Sequence, residues 1–137
     1  MRSVLVIAYD LINQIRPAKK NDMVVFDIDE TLIDLNGDPM FDVIEFYRYV
    51  KTIGFNTSII TARQGFTENI KITMDELSRV GVTGYHSIYF RDPSQMDVEK
   101  YKLNCRKKLF VDGFNTVMSL GDMYWDTGMY GGIGIII

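Results

Sequence analysis

The sequence has a single cysteine, Cys105, which excludes an internal disulfide and a zinc site built from several thiolates. No apolar run approaches the roughly 18 residues that a membrane-spanning helix needs. The run Val4 to Tyr9 is short, is interrupted by Asp10 and is followed by no small-residue cleavage site, so it does not read as a signal peptide. A net charge of −3 gives no overall field that would favour nucleic acid or an anionic membrane surface. Repeats, linkers and low-complexity stretches are absent as well. These absences predict a cytoplasmic chain in a reducing compartment, with no membrane or nucleic-acid partner. What is there is ordinary: 47% hydrophobic and 24% charged residues over 137 positions. That length predicts a single domain over residues 1–137, large enough to bury about two thirds of its unfolded surface.

Apolar positions near helical spacing predict a helix over residues 3–15, ended by Arg16-Pro17. Met23 to Phe26 is a short continuous apolar run, as expected of a strand covered on both faces. Asn36 to Pro39 reads as a turn. Residues 40–53 read as a helix with Phe41, Ile44, Phe46, Tyr47 and Val50 toward the core, capped by Gly54. Further strands are expected around Ser58 to Ile60, over "HSIYFR", over Thr116 to Leu120 and in the final "IGIII". Helices are expected over 66–80, in one piece or two, and from Ser94 or Asp97 to about residue 110. Alternating strands and helices predict an α/β fold: a mostly parallel sheet between two helical layers. Strand order is not legible in this pattern. Chemistry is expected beyond the carboxyl ends of the strands.

Polar residues cluster at those ends. "VVFDIDETLID" runs from a buried strand into Asp27, Asp29 and Thr31. Alternate residues of an extended chain point the same way. Two carboxylates about 5 Å apart repel by roughly 3 kcal/mol at an effective dielectric near 20. A cation, a shared proton or nearby donors would offset that cost, and a solvated turn would avoid it. Mg²⁺ favours oxygen ligands and binds alongside phosphate. Thr61, with Arg63 near it, follows the second strand; its hydroxyl suits either a phosphate oxygen or a local turn bond. Asp122 follows the fourth strand, Gly121 permits a tight turn there, and Asp126 lies beyond. On the helix after residue 97, Val98, Tyr101, Cys105 and Leu109 form an apolar stripe with Lys102 at its edge. A lysine so placed either snorkels outward or meets an anion. Lys100, Lys107 and Lys108 fall on the outer face, and Arg106 lies one turn from Lys102. His86 reads as a turn or strand-start residue, and Trp125 as packing under the site. Cys105 reads as a small core residue, because no phosphate-cradling loop follows it.

These stretches, in this order, resemble the four motifs of the haloacid dehalogenase-like (HAD) phosphohydrolases. "VVFDIDETL" is similar to the first motif, "IITAR" to the second, Lys102 within "YKLNCRKKL" to the third and "SLGDMYWD" to the fourth. The combination is closest to the acid-phosphatase-like branch. The resemblance implies a Rossmann-like fold and Mg²⁺-dependent hydrolysis of a phosphomonoester through an aspartyl-phosphate. It makes Asp27 the nucleophile and Asp29 the general acid/base. Thr61 and Lys102 would contact the transferring group, with Thr31, Ala62 and Arg63 binding substrate. Asp27, the Asp29 backbone carbonyl and Asp122 would hold the metal, with Asp126 a ligand or an anchor behind it. Lys100 is the alternative to Lys102.

The stretch from Asp27 to Thr61 holds one turn and one helix, and that from Phe90 to Lys102 is shorter still. Neither has room for a cap domain. A capless site implies a bulky or macromolecular phosphorylated substrate, or a neighbouring subunit as cover. Two other readings are a non-catalytic phospho-ligand-binding or regulatory module, and a protein phosphatase of the DxDxT type. The latter would carry adjacent aspartates in the fourth motif, where this sequence has "GDMYWD".

Overall fold

The computed structural model describes residues 3–137. Its elements alternate: α1 (Ser3–Ile15), β1 (Asp22–Phe26), α2 (Phe41–Thr52), β2 (Asn56–Gln64), α3 (Thr67–Arg79), β3 (Ser87–Arg91), α4 (Val98–Val111), β4 (Asn115–Gly121), a 3-10 turn (Tyr124–Asp126) and β5 (Ile133–Ile136). The strands form one sheet of order β3-β2-β1-β4-β5, and every pairing is parallel. The chain runs outward from β1 through β2 and β3, then returns to lay β4 against the other side of β1. The crevice between the ends of β1 and β4 is therefore a topological switch point, where ligands bind in open α/β sheets.

The two-residue period of β1 divides the core. Val24 and Phe26 face α1, α2 and α3 and share a cluster with Leu5, Ile12, Phe46 and Leu77. Met23 and Val25 face the other way, against Tyr101, Cys105 and Leu109 of α4. Three helices thus cover one face and α4 the other, giving the three-layer α/β/α Rossmann-like arrangement with no cap inserted among the described residues. The alternation continues past the strand end: 23, 25 and 27 share a parity, which sends the Asp27 side chain toward α4.

Two expectations need correction. Phe41 is 76% exposed. It is the first residue of α2 and precedes the packed face of Val43, Ile44, Phe46, Tyr47 and Val50, while Met40 takes the inner position. Thr61 does not follow its strand but lies within it, because β2 continues to Gln64. Its pairing with β3 slips between Ile60 and Gln64, where β2 holds more residues than its partner. This bulge re-aims the chain beside the cleft. The helix over α3 is continuous, and α4 begins after Asp97, whose side chain accepts from the Lys100 N–H at 3.1 Å.

Candidate functional site

Beyond Phe26 the chain makes one tight turn. The N–H groups of Thr31, Leu32 and Ile33 converge on the Ile28 carbonyl at 3.1, 2.8 and 3.1 Å. Glu30 takes a left-handed backbone, φ 59°, which is uncommon for a residue with a side chain. Asp27 stays pinned to β4, its N–H donating to the Leu120 carbonyl at 3.0 Å. Its carboxylate, 8% exposed, accepts from Lys102 Nζ at 2.9 Å and from the Thr31 hydroxyl at 3.3 Å.

Lys102 is the centre of the site. It is 2% exposed, donates to the Ile60 carbonyl at 2.7 Å and lies 2.7 Å from Asp126 Oδ1. The helical spacing that buries Cys105 and Leu109 turns Lys102 to the same side. Lys100 is exposed, lining a separate hollow with Ser94, Gln95 and Asn104. Burial works against the Lys102 ammonium, but Asp27 and Asp126 outweigh it and raise its pKa. Burial pushes the Asp27 carboxyl well above the ordinary carboxylate range; Lys102 opposes that rise, and the charge of Asp126 adds to it.

The 3-10 turn brings Asp126 back under the end of β4. Its Oδ2 accepts from the Met123 N–H at 3.0 Å. Its Oδ1 is buried and forms an ion pair with Lys102 at 2.7 Å, with no further partner among the described residues. Gly121 is required for this return. A Cβ there would stand 2.3 Å from both Cβ and Oδ2 of Asp126. The need is for close approach, rather than the turn conformation that the sequence suggested.

Oxygens of Asp27, Asp122 and Asp126 lie within 4.8 Å of one another. With all three ionised, they exceed the charge of Lys102 by two. All-oxygen donors and carboxylates that outnumber the one buried cation fit a hard cation such as Mg²⁺. The side chain of Asp29 stands outside this cluster. It is paired instead with Arg63, Nη2 to Oδ1 at 2.8 Å and Nε to Oδ2 at 3.1 Å. The charge anticipated to weigh on Asp27 from Asp29 is thus met by a guanidinium.

Asp27, Asp29, Ala62, Lys102, Asp122 and Asp126 line a cleft of about 210 Å³, together with Glu30, Val98, Met123 and Trp125. Thr31 and Thr61 are fully buried and do not line it. The Thr61 hydroxyl accepts from the Arg63 N–H at 3.1 Å, a bond that leaves its own proton free to donate. Arg63 faces Asp29 rather than open space. His86 immediately precedes β3 and packs at a tilt on Phe114, with ring centroids 4.4 Å apart. Burial pushes the Cys105 thiol up, which suits a core residue.

Sequence reasoning missed the supports. The Tyr101 hydroxyl donates to the Thr61 carbonyl at 2.7 Å, and Arg91 Nε donates to the Ala62 carbonyl at 2.9 Å. Arg106 donates to the Trp125 and Met129 carbonyls at 2.8 and 2.9 Å, holding the loop that carries Asp126. Burial lowers its pKa. Tyr101 and Arg106 stood in the sequence as a core residue and a neighbour of Lys102; their bonds to distant carbonyls left no local signal.

The family described as HAD superfamily, subfamily IIIB (Acid phosphatase) matches residues 36–129, more than half of the chain. The match takes in Thr61, Lys102, Asp122 and Asp126 and begins after Asp27 and Asp29. No curated protein matches the sequence.

Proposed function

The chain belongs to subfamily IIIB of the HAD superfamily, the acid phosphatases, and on that premise we propose that it hydrolyses phosphomonoesters through a covalent phosphoryl group on Asp27. The observation that carries this reading is the shared lysine. Lys102 faces the Asp27 carboxylate inside the cleft, so an anion attacking a second anion does so beside a buried cation. Asp27, Asp122, Asp126 and the Asp29 carbonyl are the groups that would hold Mg²⁺. The bound ion would neutralise charge on the transferring phosphoryl oxygens.

An Asp27 oxygen bonds to phosphorus as the bond to the leaving oxygen breaks. Lys102 draws charge from the phosphoryl oxygens; the Thr61 hydroxyl, buried behind the cleft wall, would reach them only after a local shift of β2. Asp29, protonated from solvent on one oxygen while the other stays on Arg63, gives that proton to the leaving oxygen. It then takes one from the water that attacks phosphorus and releases Asp27. Thr31, bonded to Asp27, steadies the nucleophile rather than the substrate. The cleft, about 210 Å³, is small beside a macromolecular ester, so most of a bulky substrate would lie outside it.

The test is phosphate release from a panel of phosphomonoesters with Mg²⁺ or with chelator. Turnover that needs the metal and disappears in Asp27→Asn is expected. Full turnover in that variant would assign the wrong nucleophile.

A further inference from the structure

Arg63 is held at both ends. Its Nε and Nη2 meet the two oxygens of Asp29, while its Nη1 donates to Thr73 Oγ1 at 3.0 Å and Glu76 Oε1 at 3.1 Å. Among the described residues, Arg63 is the only side chain that bonds the Asp29 carboxylate, which is otherwise 59% exposed. Thr73 and Glu76 sit three positions apart on one face of α3, and Thr73 is buried. A guanidinium is planar, with its N–H groups in a fixed fork. Once Nη1 is fixed on α3, the plane of the fork is fixed, and a carboxylate held by two bonds must lie in it. The hydrogen bonds of Arg63 raise its pKa, that to Asp29 foremost, so the clamp stays charged.

We propose that Thr73 and Glu76 are positioning residues: acting through Arg63, they set the direction in which Asp29 presents its carboxyl group to the leaving oxygen. This role rests on the proposed phosphatase reading, with Asp29 as proton shuttle. In the step concerned, the phosphorus–oxygen bond breaks, its electron pair goes to the leaving oxygen, and Asp29 supplies a proton taken from solvent on one carboxyl oxygen while the other keeps its bond to Arg63 and with it the orientation. An alkyl alkoxide needs that proton. A nitrophenolate leaves without it. Loosening the clamp therefore slows alkyl esters selectively, whereas loss of a direct phosphate contact would slow every ester alike.

The experiment measures kcat/KM for an alkyl phosphate and for 4-nitrophenyl phosphate in wild type, Thr73→Val, Glu76→Ala and Glu76→Gln. Thr73→Val and Glu76→Ala should lose roughly tenfold or more on the alkyl ester and little on the nitrophenyl ester. Glu76→Gln keeps an acceptor oxygen and should recover most of the loss. Adding Glu76→Ala to Asp29→Asn should cost nothing further, because the group it orients is already gone. Equal losses on both esters, no loss on either, or an additive loss in the double variant would overturn the role while leaving the phosphatase reading intact. A wild type that releases phosphate from neither ester would overturn both.

Discussion

Lys102 Nζ stands 2.9 Å from Asp27 Oδ1, a contact between residues 75 positions apart, and the same ammonium lies 2.7 Å from Asp126. One buried cation thus serves two buried carboxylates. Removing one partner of a buried pair leaves the other uncompensated and typically costs about 3–5 kcal/mol. Lys102→Met should destabilise the metal-free protein by that order in urea titrations and abolish phosphate release. Added Mg²⁺ should return part of the stability and none of the activity.

Asp27→Asn, unlike Lys102→Met, leaves Lys102 its partner Asp126, so above the folded pKa of Asp27 it should stabilise the metal-free fold while destroying turnover. Burial raises the folded pKa of Asp27 above its ordinary 3.8. The folded state then holds this proton more tightly than the unfolded chain does. Its contribution to stability is fully present below the unfolded value and is lost as pH rises through the folded one. In chelator, the urea midpoint of the variant should therefore gain on that of wild type as pH climbs out of the acidic range. A constant gap would show that burial of the charge is not what Asp27 contends with.

Gly121→Ala should act on Asp126 without touching a charge. The added carbon meets Asp126 atoms at 2.3 Å, inside contact distance, so the 3-10 turn must shift. Overpacking of this kind costs about 1–3 kcal/mol. The variant should melt earlier, and its Mg²⁺ affinity should fall with its turnover, as followed by calorimetric titration.

Asp122→Asn and Asp126→Asn should weaken the stabilisation by metal. A ligand at about 100 times its dissociation constant adds roughly 2.7 kcal/mol to a fold that binds it. Wild type should show a rise in melting temperature with Mg²⁺, and both variants should show less. Asp29→Asn should keep the rise, because its side chain faces Arg63 while only its carbonyl is assigned to the ion.

Much of this was legible in local pattern. The apolar run of β1, the acids after it and the lysine on the α4 stripe single out Asp27 and Lys102 from local pattern alone. Alternation along β1 even sets the face on which they meet. What stayed hidden depends on separate segments coming together. The strand order needs pairing energies between distant segments. The clamp from α3 to Asp29 joins positions that share no periodicity, so Glu76 reads in sequence as one more exposed acid. Gly121 looked like a turn residue because the side chain that excludes a Cβ there belongs to Asp126. Phe41 falls by helical spacing on the face of Ile44 and Tyr47, and its position at the helix start sets it outside.

The most direct measurement is acid quenching during turnover, followed by mass spectrometry of the peptide that contains residues 24–34. A phosphoryl group on Asp27, formed within the first turnover, dependent on Mg²⁺ and absent from Asp27→Asn, is the expected result. Steady phosphate release with Asp27 never modified, or with turnover kept in Asp27→Asn, would contradict it.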